Sequence, residues 1–358
     1  MATGFDYGMN TAAGLYDGIN KYIRITDIDE DSRCYIDANP VSPQGKLDDK
    51  YLVHEHDILF ARTGASTGKT YLYKKSDGKL YFAGFLIRVT VNSHNNSTFV
   101  YNSTLTDKYN SWVRLTSMRS GQPGINSQEY SSYRTYYPHL DEQNRIAAFL
   151  EVLEQRIEKQ RQLVEALKSY KRGVIEHYFS RQIILTDPTE KWSKCHIKDC
   201  LNYEQPQKYI VTTEHYSNEY LTPVLTANKA FVLGYTDETD GIYDKGQVII
   251  YDDFTMEAKF VEFPFKVKSS TIKMLTPKNG NNLYFLFCLL QHLQLKPEGH
   301  QRSYISIVEQ MDVSIPSIKE QNRASELFYT LNRLVKCEEG NLTHIESEKA
   351  GLLGHLFI

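Results

Sequence analysis

The stretch Thr63-Gly64-Ala65-Ser66-Thr67-Gly68-Lys69-Thr70 nearly spells a phosphate-binding loop, G-x-x-x-x-G-K-[ST]. Such a loop cradles phosphate with backbone N–H groups and sends its lysine to the outer phosphates, provided a helix starts directly behind it. Two features depart from that chemistry. Thr63 stands where the first glycine belongs, and Tyr71-Leu72-Tyr73-Lys74-Lys75 runs into Ser76-Asp77-Gly78, which reads as a strand and a hairpin turn. A P-loop-like nucleotide-binding enzyme using residues 63–70 is therefore the second reading. The first is a polar loop whose Arg62, Thr63, Ser66 and Lys69 hold a phosphate of some larger ligand.

Other reactive residue types do not assemble into a motif. Cys195-His196 with Cys200, and His54-x-His56-Asp57, have the elements of a metal site but no second pair at zinc spacing. His177 and His355 recur at equivalent helix positions, which fits packing or capping. The sequence has no G-x-S-x-G, H-E-x-x-H or G-x-G-x-x-G, and no Asn-Pro-Pro-Tyr of an adenine methyltransferase; Asn39-Pro40 stands alone. These absences favour a binding module.

What remains are polar loops carrying Arg, Lys, Asn and Gln. In the first half they hold Lys21 and Arg24, the 62–69 loop, and Arg119 with Gln122. In the second half they hold Thr226, Asn228 and Lys229, then Lys259, then Gln301, Arg302, Ser303 and Tyr304. Arg, Asn and Gln can pair bidentately with base edges, while Ser, Thr and Lys hold phosphates. Gly121-Gln122 and His300-Gln301 are placed alike, each ahead of a proline and a long helix.

The elements that position these loops follow from composition and repetition. With 358 residues, 41% hydrophobic and 24% charged, the chain is globular and long enough for two or three domains. A net charge of −3 excludes a globally basic coat but not a local basic cleft. No apolar run reaches the ~18 residues of a membrane helix. Without an apolar leader, and with 5 irregularly spaced cysteines, a reducing cytoplasm and no membrane association are expected. The 26 tyrosines against 2 tryptophans suit strands and interfaces alike.

Self-comparison gives the strongest signal. Pro138-His139-Leu140-Asp141-Glu142-Gln143-Asn144-Arg145 recurs as Pro316-Ser317-Ile318-Lys319-Glu320-Gln321-Asn322-Arg323, an offset of 178. At the same offset Lys171, Gly173, His177 and Phe179 return as Lys349, Gly351, His355 and Phe357. Between these ends both copies step by 4 and 3: Leu150, Leu153, Ile157, Gln160, Val164, Leu167, Lys171, Val174, Tyr178, and Phe328, Leu331, Val335, Glu338, Leu342, Ile345, Lys349, Leu352, Leu356. A 3.5-residue period marks a coiled-coil seam, and two such helices in one chain pair with each other. Each spans about 36 residues, roughly 54 Å. The polar seam residues fix register, and Gly173 and Gly351 predict a close helix–helix approach.

The remaining segments read as β-rich globules. Strands are predicted at 22–26, 57–61 and 82–90 in the first, and at 220–225, 246–251, 259–263 and 270–275 in the second. A helix is predicted from Asn282 to Leu295, with Ser103–Met118 as its counterpart.

This pattern resembles the DNA-specificity (S) subunits of Type I restriction–modification systems. The residues that carry the resemblance are Tyr22-Ile23-Arg24-Ile25-Thr26-Asp27-Ile28, Asp57-Ile58-Leu59-Phe60-Ala61-Arg62-Thr63-Gly64, the repeated Pro-x-x-x-Glu-Gln-Asn-Arg, and Leu167-Lys168-Ser169-Tyr170-Lys171-Arg172-Gly173. The resemblance covers essentially the whole chain. It implies an α+β fold: two β-rich globular target-recognition domains, 1–141 and 181–319, separated by two long helices, 142–180 and 320–358, that pair as an antiparallel coiled coil. It further implies a chain without a catalytic centre that reads a bipartite site on double-stranded DNA. Its partners would be two methyltransferase (M) subunits and restriction (R) subunits. S-adenosylmethionine and ATP/Mg are expected on those partners and no cofactor in this chain. One departure stands out. Trp192-Ser193-Lys194-Cys195-His196-Ile197-Lys198-Asp199-Cys200 opens the second globule, and almost nothing comparable precedes Tyr22 in the first.

Overall fold

The structure, a computed structural model, describes residues 1–227, 230–297 and 302–357. It divides into two compact units: Met1–Arg161 with Gly340–Ile358, and Gln162–Glu339.

Unit 1 is organised by an antiparallel sheet of four strands in the order Ala2–Tyr7, Leu86–Val91, Asp57–Ala61, Thr70–Leu72. Asp57–Ala61 is buried throughout, and after Asp57 the strand reads as an apolar run, Ile58–Ala61, without alternation. Its period of two still sorts side chains: Ile58 and Phe60 join Ile87, Val89, Phe99, Leu150 and Leu353, while Leu59 and Ala61 join Ile23, Leu80, Phe82 and Leu86. The strand predicted at 22–26 ends at Ile23. There Asp27 accepts from the Arg24 N–H and guanidinium, closing a single helical turn over Ile25–Asp27. The run 82–90 is two strands, Lys79–Phe82 and Leu86–Val91, divided by a turn in which the Leu86 N–H bonds the Ala83 carbonyl at 2.9 Å.

Unit 2 repeats the arrangement as Leu201–Glu204, Ile272–Pro277, Val248–Asp252, Ala258–Val261. The apolar helix Leu283–His292 covers one face. Tyr209, Tyr243 and Phe265 fill the other. A hairpin, Thr222–Leu225 with Val232–Thr236, extends from this second layer.

The two long helices run Leu140–Phe179 and Ile318–Leu356. Within each unit they are antiparallel. In unit 1 Arg161 reaches Glu346 at 2.5 Å and Lys349 bonds Glu154. In unit 2 Lys168 reaches Glu339 and Lys171 reaches Asn332, both at 3.0 Å. Ala147, Leu150, Ile157, Val164, Val174 and Tyr178 are buried on the central helix, and Ala324, Phe328, Val335, Ile345 and Leu353 on the terminal one. The lysines that interrupt the apolar stripe thus cross to the opposite helix. Burial among apolar neighbours holds Lys171 below the ordinary lysine range.

The expected close approach at Gly173 and Gly351 is not found. A Cβ at either position would meet nothing within 4 Å, so both face open space.

The repeated Glu-Gln-Asn has a clear task. Gln143 and Gln321 are buried, and each makes the same bonds. The Gln143 Oε1 accepts from the Asn96 N–H at 3.0 Å; its Nε2 donates to Asn95 Oδ1 and the Pro138 carbonyl at 3.1 and 2.9 Å. The Gln321 amide binds the Asn282 N–H, Asn281 and Pro316 at 3.0, 2.9 and 3.0 Å. Asn144 and Asn322 add a bond to Asn96 and Asn282, both at 2.9 Å. Asn96 and Asn282 in turn cap the helices Ser97–Ser103 and Leu283–His292. The counterpart of the second-globule helix is therefore Ser97–Ser103, not the predicted 103–118, which holds a separate helix, Asp107–Thr116.

Candidate DNA interface

In unit 1 the central strand delivers Arg62 to the sheet's edge, and backbone bonds stitch the following loop to residues 123–125. The Gly64 N–H donates to the Pro123 carbonyl at 3.0 Å, and the Ile125 N–H to the Arg62 carbonyl at 2.9 Å. Gly64 has φ +79°, and a Cβ there would come within 3.1 Å of Gln122 Nε2, so a side chain would be strained and would press on Gln122. As a result Arg24, Arg62, Thr63 and Gln122 line one open cleft of about 720 Å³. Tyr7, Asn10 and Phe85 complete it. The Arg62 guanidinium lies over the Tyr7 ring at 4.8 Å, and Phe85 is 60% exposed. Hydrogen bonding to Ser127, aided by Arg62, lowers the Tyr7 hydroxyl below the usual phenol range.

Tyr7, Asn10 and Phe85 were not among the residues selected from sequence. Phe85 sits inside an apolar run that reads as strand, and only the turn at residues 83–85 turns it outward. Polar edges, a guanidinium and exposed rings together suit nucleic-acid bases, which have both hydrogen-bonding edges and π faces.

Other sequence-selected residues are occupied or placed elsewhere. Arg24 is tied to Asp27 through two bonds of 2.8 and 2.7 Å. Lys21 binds Asp37 and the Asp77 carbonyl at 2.8 and 3.0 Å. Arg119 is exposed and pairs with Glu129 at 2.5 Å. Ser66 donates weakly to Glu30 at 3.4 Å. Lys69 is only 4% exposed, and its ammonium donates to the Ile28 carbonyl at 2.9 Å and to Glu30 at 2.5 Å. Strand Thr70–Leu72 follows it directly, with no helix. The nucleotide-binding reading of residues 63–70 is corrected on both grounds: its lysine points inward, and a strand, not a helix, follows the loop.

In unit 2 the Thr226 hydroxyl donates to the Ala230 carbonyl at 2.8 Å near the hairpin tip. Asn228, Lys229 and Gln301 lie outside the described residues, as does His300. Lys259 is half-buried on Ala258–Val261, 3.9 Å from Glu257. Arg302 is exposed. Ser303 and Tyr304 are core residues instead of surface contacts. Ser303 donates to the Asp253 carbonyl at 2.7 Å, and the Tyr304 ring packs 5.2 Å from Tyr251.

Among the described residues no three His, Cys, Asp or Glu side chains are grouped to hold a metal, and no helix is long and apolar enough to cross a membrane. The Cys195 and Cys200 sulfurs are 3.4 Å apart, and burial pushes the Cys200 thiol up to about 12.

Two β-rich units of like strand order, clamped to antiparallel helices by one repeated motif, define a duplicated recognition scaffold. The chain belongs to the Type I restriction modification DNA specificity domain family, whose model matches residues 15–168 and 189–347. One stretch of 120 residues is 48% identical to the specificity subunit of the Type I restriction enzyme EcoR124I/EcoR124II from Escherichia coli. That match spans 32% of this chain and 30% of the relative. The fold is also that of the S subunit of a Type I restriction–modification system from M. genitalium: TM-score 0.67, 14% identity, 100% of this chain and 96% of that one. A further chain, from work on complex assembly and conformational transition of the type I R-M system, matches with TM-score 0.53 and 14% identity over 98% of this chain and 96% of its own.

Proposed function

We propose that this chain is the non-catalytic, sequence-reading subunit of a Type I restriction–modification complex. Each β-rich unit reads one half of a bipartite site on double-stranded DNA, and the long helices set the unread interval and scaffold two methyltransferase subunits and the restriction subunits. The observation that carries this is the duplication of an entire recognition architecture, down to the Gln143 and Gln321 clamps, within a family of DNA-specificity domains.

The physics favours two readers. One unit spans only a few base pairs, and each mismatch costs about 1–3 kcal/mol, roughly additively. Two linked units add their discrimination and leave the middle unread. The cleft at Arg62 and Gln122 supplies local positive charge and base-pairing edges despite the net charge of −3. S-adenosylmethionine and ATP/Mg belong to the partner subunits, in the cytoplasm where the genome is.

The test is to express the chain with its methyltransferase subunit and map methylated adenines across a genome. A motif of two short defined blocks around an undefined gap is expected. Methyl transfer by the purified chain alone, or a contiguous motif, would overturn the proposal.

A further inference from the structure

The long helices line a groove in each unit, and the offset of 178 relates the two. In unit 1 a cavity of about 460 Å³ is lined from the helices by Glu154, Ile157, Arg161, Glu346, Lys349 and Leu353. In unit 2 a cavity of about 870 Å³ is lined by their counterparts Asn332, Val335, Glu339, Lys168, Lys171 and Ile175.

The globules contribute differently. In unit 1 the loop 30–33 walls the cavity and brings Glu30 and Asp31 to the one that Arg161 and Lys349 line. Hydrogen bonds from Ser32, with the charge of Arg161 adding, hold the neighbouring Asp29 carboxyl below the usual range. That loop follows the strand Asn20–Ile23, which lies parallel to Lys79–Phe82. In unit 2 the strand in that place, Thr222–Leu225, lies parallel to Lys266–Val267 and leads instead into the hairpin with Val232–Thr236. Among the described residues, only Gln291, His292 and Gln294 line the unit 2 groove from outside the long helices.

The helix residues differ to match. In unit 1 Lys349 is bonded to Glu154, Glu158 stands one helical turn on, and Ala350 follows Lys349. The same positions in unit 2 hold Lys171, Asn332, Lys336 and Arg172. One cation with two carboxylates in unit 1 thus stands against three cations and no carboxylate in unit 2. Lys171 bonds a neutral amide, Asn332 Oδ1, at 3.0 Å, and repulsion from Lys336 and Arg172 adds to the burial that lowers it. Arg172 and Lys336 line the groove, are exposed, and form no ion pair among the described residues. The carboxylates present, Glu339 and Glu176, already face Lys168 and His292, both at 3.0 Å.

We infer that the unit 2 groove docks an acidic segment of a partner polypeptide, in the place that loop 30–33 takes in unit 1. Its carboxylates meet Lys171, Arg172 and Lys336, and the Asn332, Gln291 and Gln294 amides bond its main chain. Complementary charge of this kind steers and selects a partner more than it tightens the complex. Unit 1 favours a polypeptide over DNA, because what walls its groove is an acidic loop. The groove also adjoins the helix Leu283–His292, on the sheet face opposite the layer that carries the hairpin. The inference does not rest on DNA recognition, so either can fail without the other.

The test uses the full chain without partner subunits and reads the fluorescence anisotropy of labelled hexaglutamate. Salt is held at about 0.1 M, where exposed charges more than about 10 Å apart are screened. Saturable binding of hexaglutamate is expected, and none of hexaglutamine. Lys336→Glu and Asn332→Glu should each weaken binding at least tenfold. The second variant restores the carboxylate that Glu154 supplies in unit 1, and thermal unfolding should show it no less stable than the parent chain. Lys319→Glu, exposed on the same helix but outside the groove, changes net charge equally and should weaken binding less than twofold. No saturable binding, binding that Lys336→Glu leaves intact, or an equal loss in Lys319→Glu overturns the inference. So does a random-sequence duplex whose affinity falls tenfold in Lys336→Glu while hexaglutamate binding holds, which would make the groove a phosphate contact.

Discussion

At the scale of single residues, the buried glutamines and the cleft residues divide stability from recognition. Gln143→Ala removes three hydrogen bonds and strands the Asn96 N–H and the Pro138 carbonyl. Leaving buried groups unpaired costs about 1–3 kcal/mol each, so a loss of about 2–4 kcal/mol is expected in urea unfolding, and the same for Gln321→Ala. Arg145→Ala, two positions along the same motif but exposed, should change stability by less than about 0.5 kcal/mol. Equal effects would mean that the motif is not acting through the clamp. The cleft behaves differently. Gln122→Ala should leave unfolding unchanged and cost the assembled complex about 1–3 kcal/mol of discrimination at one position of one half-site. Lys69→Met, despite the loop's phosphate-binding look, should lower stability and leave the salt dependence of DNA binding alone, because its ammonium is held by Ile28 and Glu30. A slope shallower by about one charge in that variant would return Lys69 to the phosphates.

At the scale of elements, two ion pairs show how the helices choose each other. The offset of 178 carries Arg161 to Glu339 and Lys168 to Glu346, so the pairs Arg161–Glu346 and Lys168–Glu339 are one interaction with its signs exchanged. Both cations lie on the central helix and both anions on the terminal helix. Two central helices paired antiparallel would set Arg161 against Lys168, and two terminal helices would set Glu339 against Glu346. The charges thus favour the unlike pair. Arg161→Glu should destabilise the chain and Glu346→Arg should restore it. A double-mutant cycle should give a coupling of about 0.2–1 kcal/mol, since both side chains are partly exposed. Zero coupling would assign register to the buried seam alone. That seam was legible in the sequence because a 3.5-residue period survives whatever the loops do, and the strand Asp57–Ala61 was legible because the buried stretch Ile58–Ala61 is an unbroken apolar run. The glycines misled: Gly173 and Gly351 recur at one spacing, but both stand between the seam positions Lys171 and Val174, and Lys349 and Leu352, on a side of the helix that faces open space. The Asn-Asn pairs at 95–96 and 281–282 carry a signal that periodicity does not, since an Asn ahead of an apolar run marks a helix start. The cleft was legible in part. Arg62 and Gln122 lie 60 positions apart, and loop-to-loop bonds at Gly64, Thr67 and Ile125 bring them together. Lys69, Ser303 and Tyr304 read as surface because polarity in a loop does not reveal which side chains fold back into the core.

At the scale of the whole molecule, the proposed function makes helix length a coding quantity. The helices are 40 and 39 residues long, and their residues serve pairing more than reading. If the unread interval in the DNA is set by them, lengthening both should move the two half-sites apart without altering either. The insertion must preserve the seam, so it has to be a whole heptad: seven residues keep every apolar position on the same face, whereas four would rotate it. Suitable places are after Val164 and after Asn341, inside the stretches bounded by the two ion pairs, so that Arg161, Lys168, Glu339 and Glu346 themselves are kept. Seven residues add about 10 Å of helix, equivalent to about three base pairs at 3.4 Å each. Three base pairs also turn the duplex by nearly a third of a revolution, so methylation should weaken even as its motif lengthens. The expected methylome keeps both defined blocks and gains about three undefined positions between them. An insertion in only one helix should break the pairing and abolish methylation. A doubly lengthened chain that still methylates with the original gap would show that the interval is set by the recognition units or the partner subunits, and that the helices only hold the assembly together.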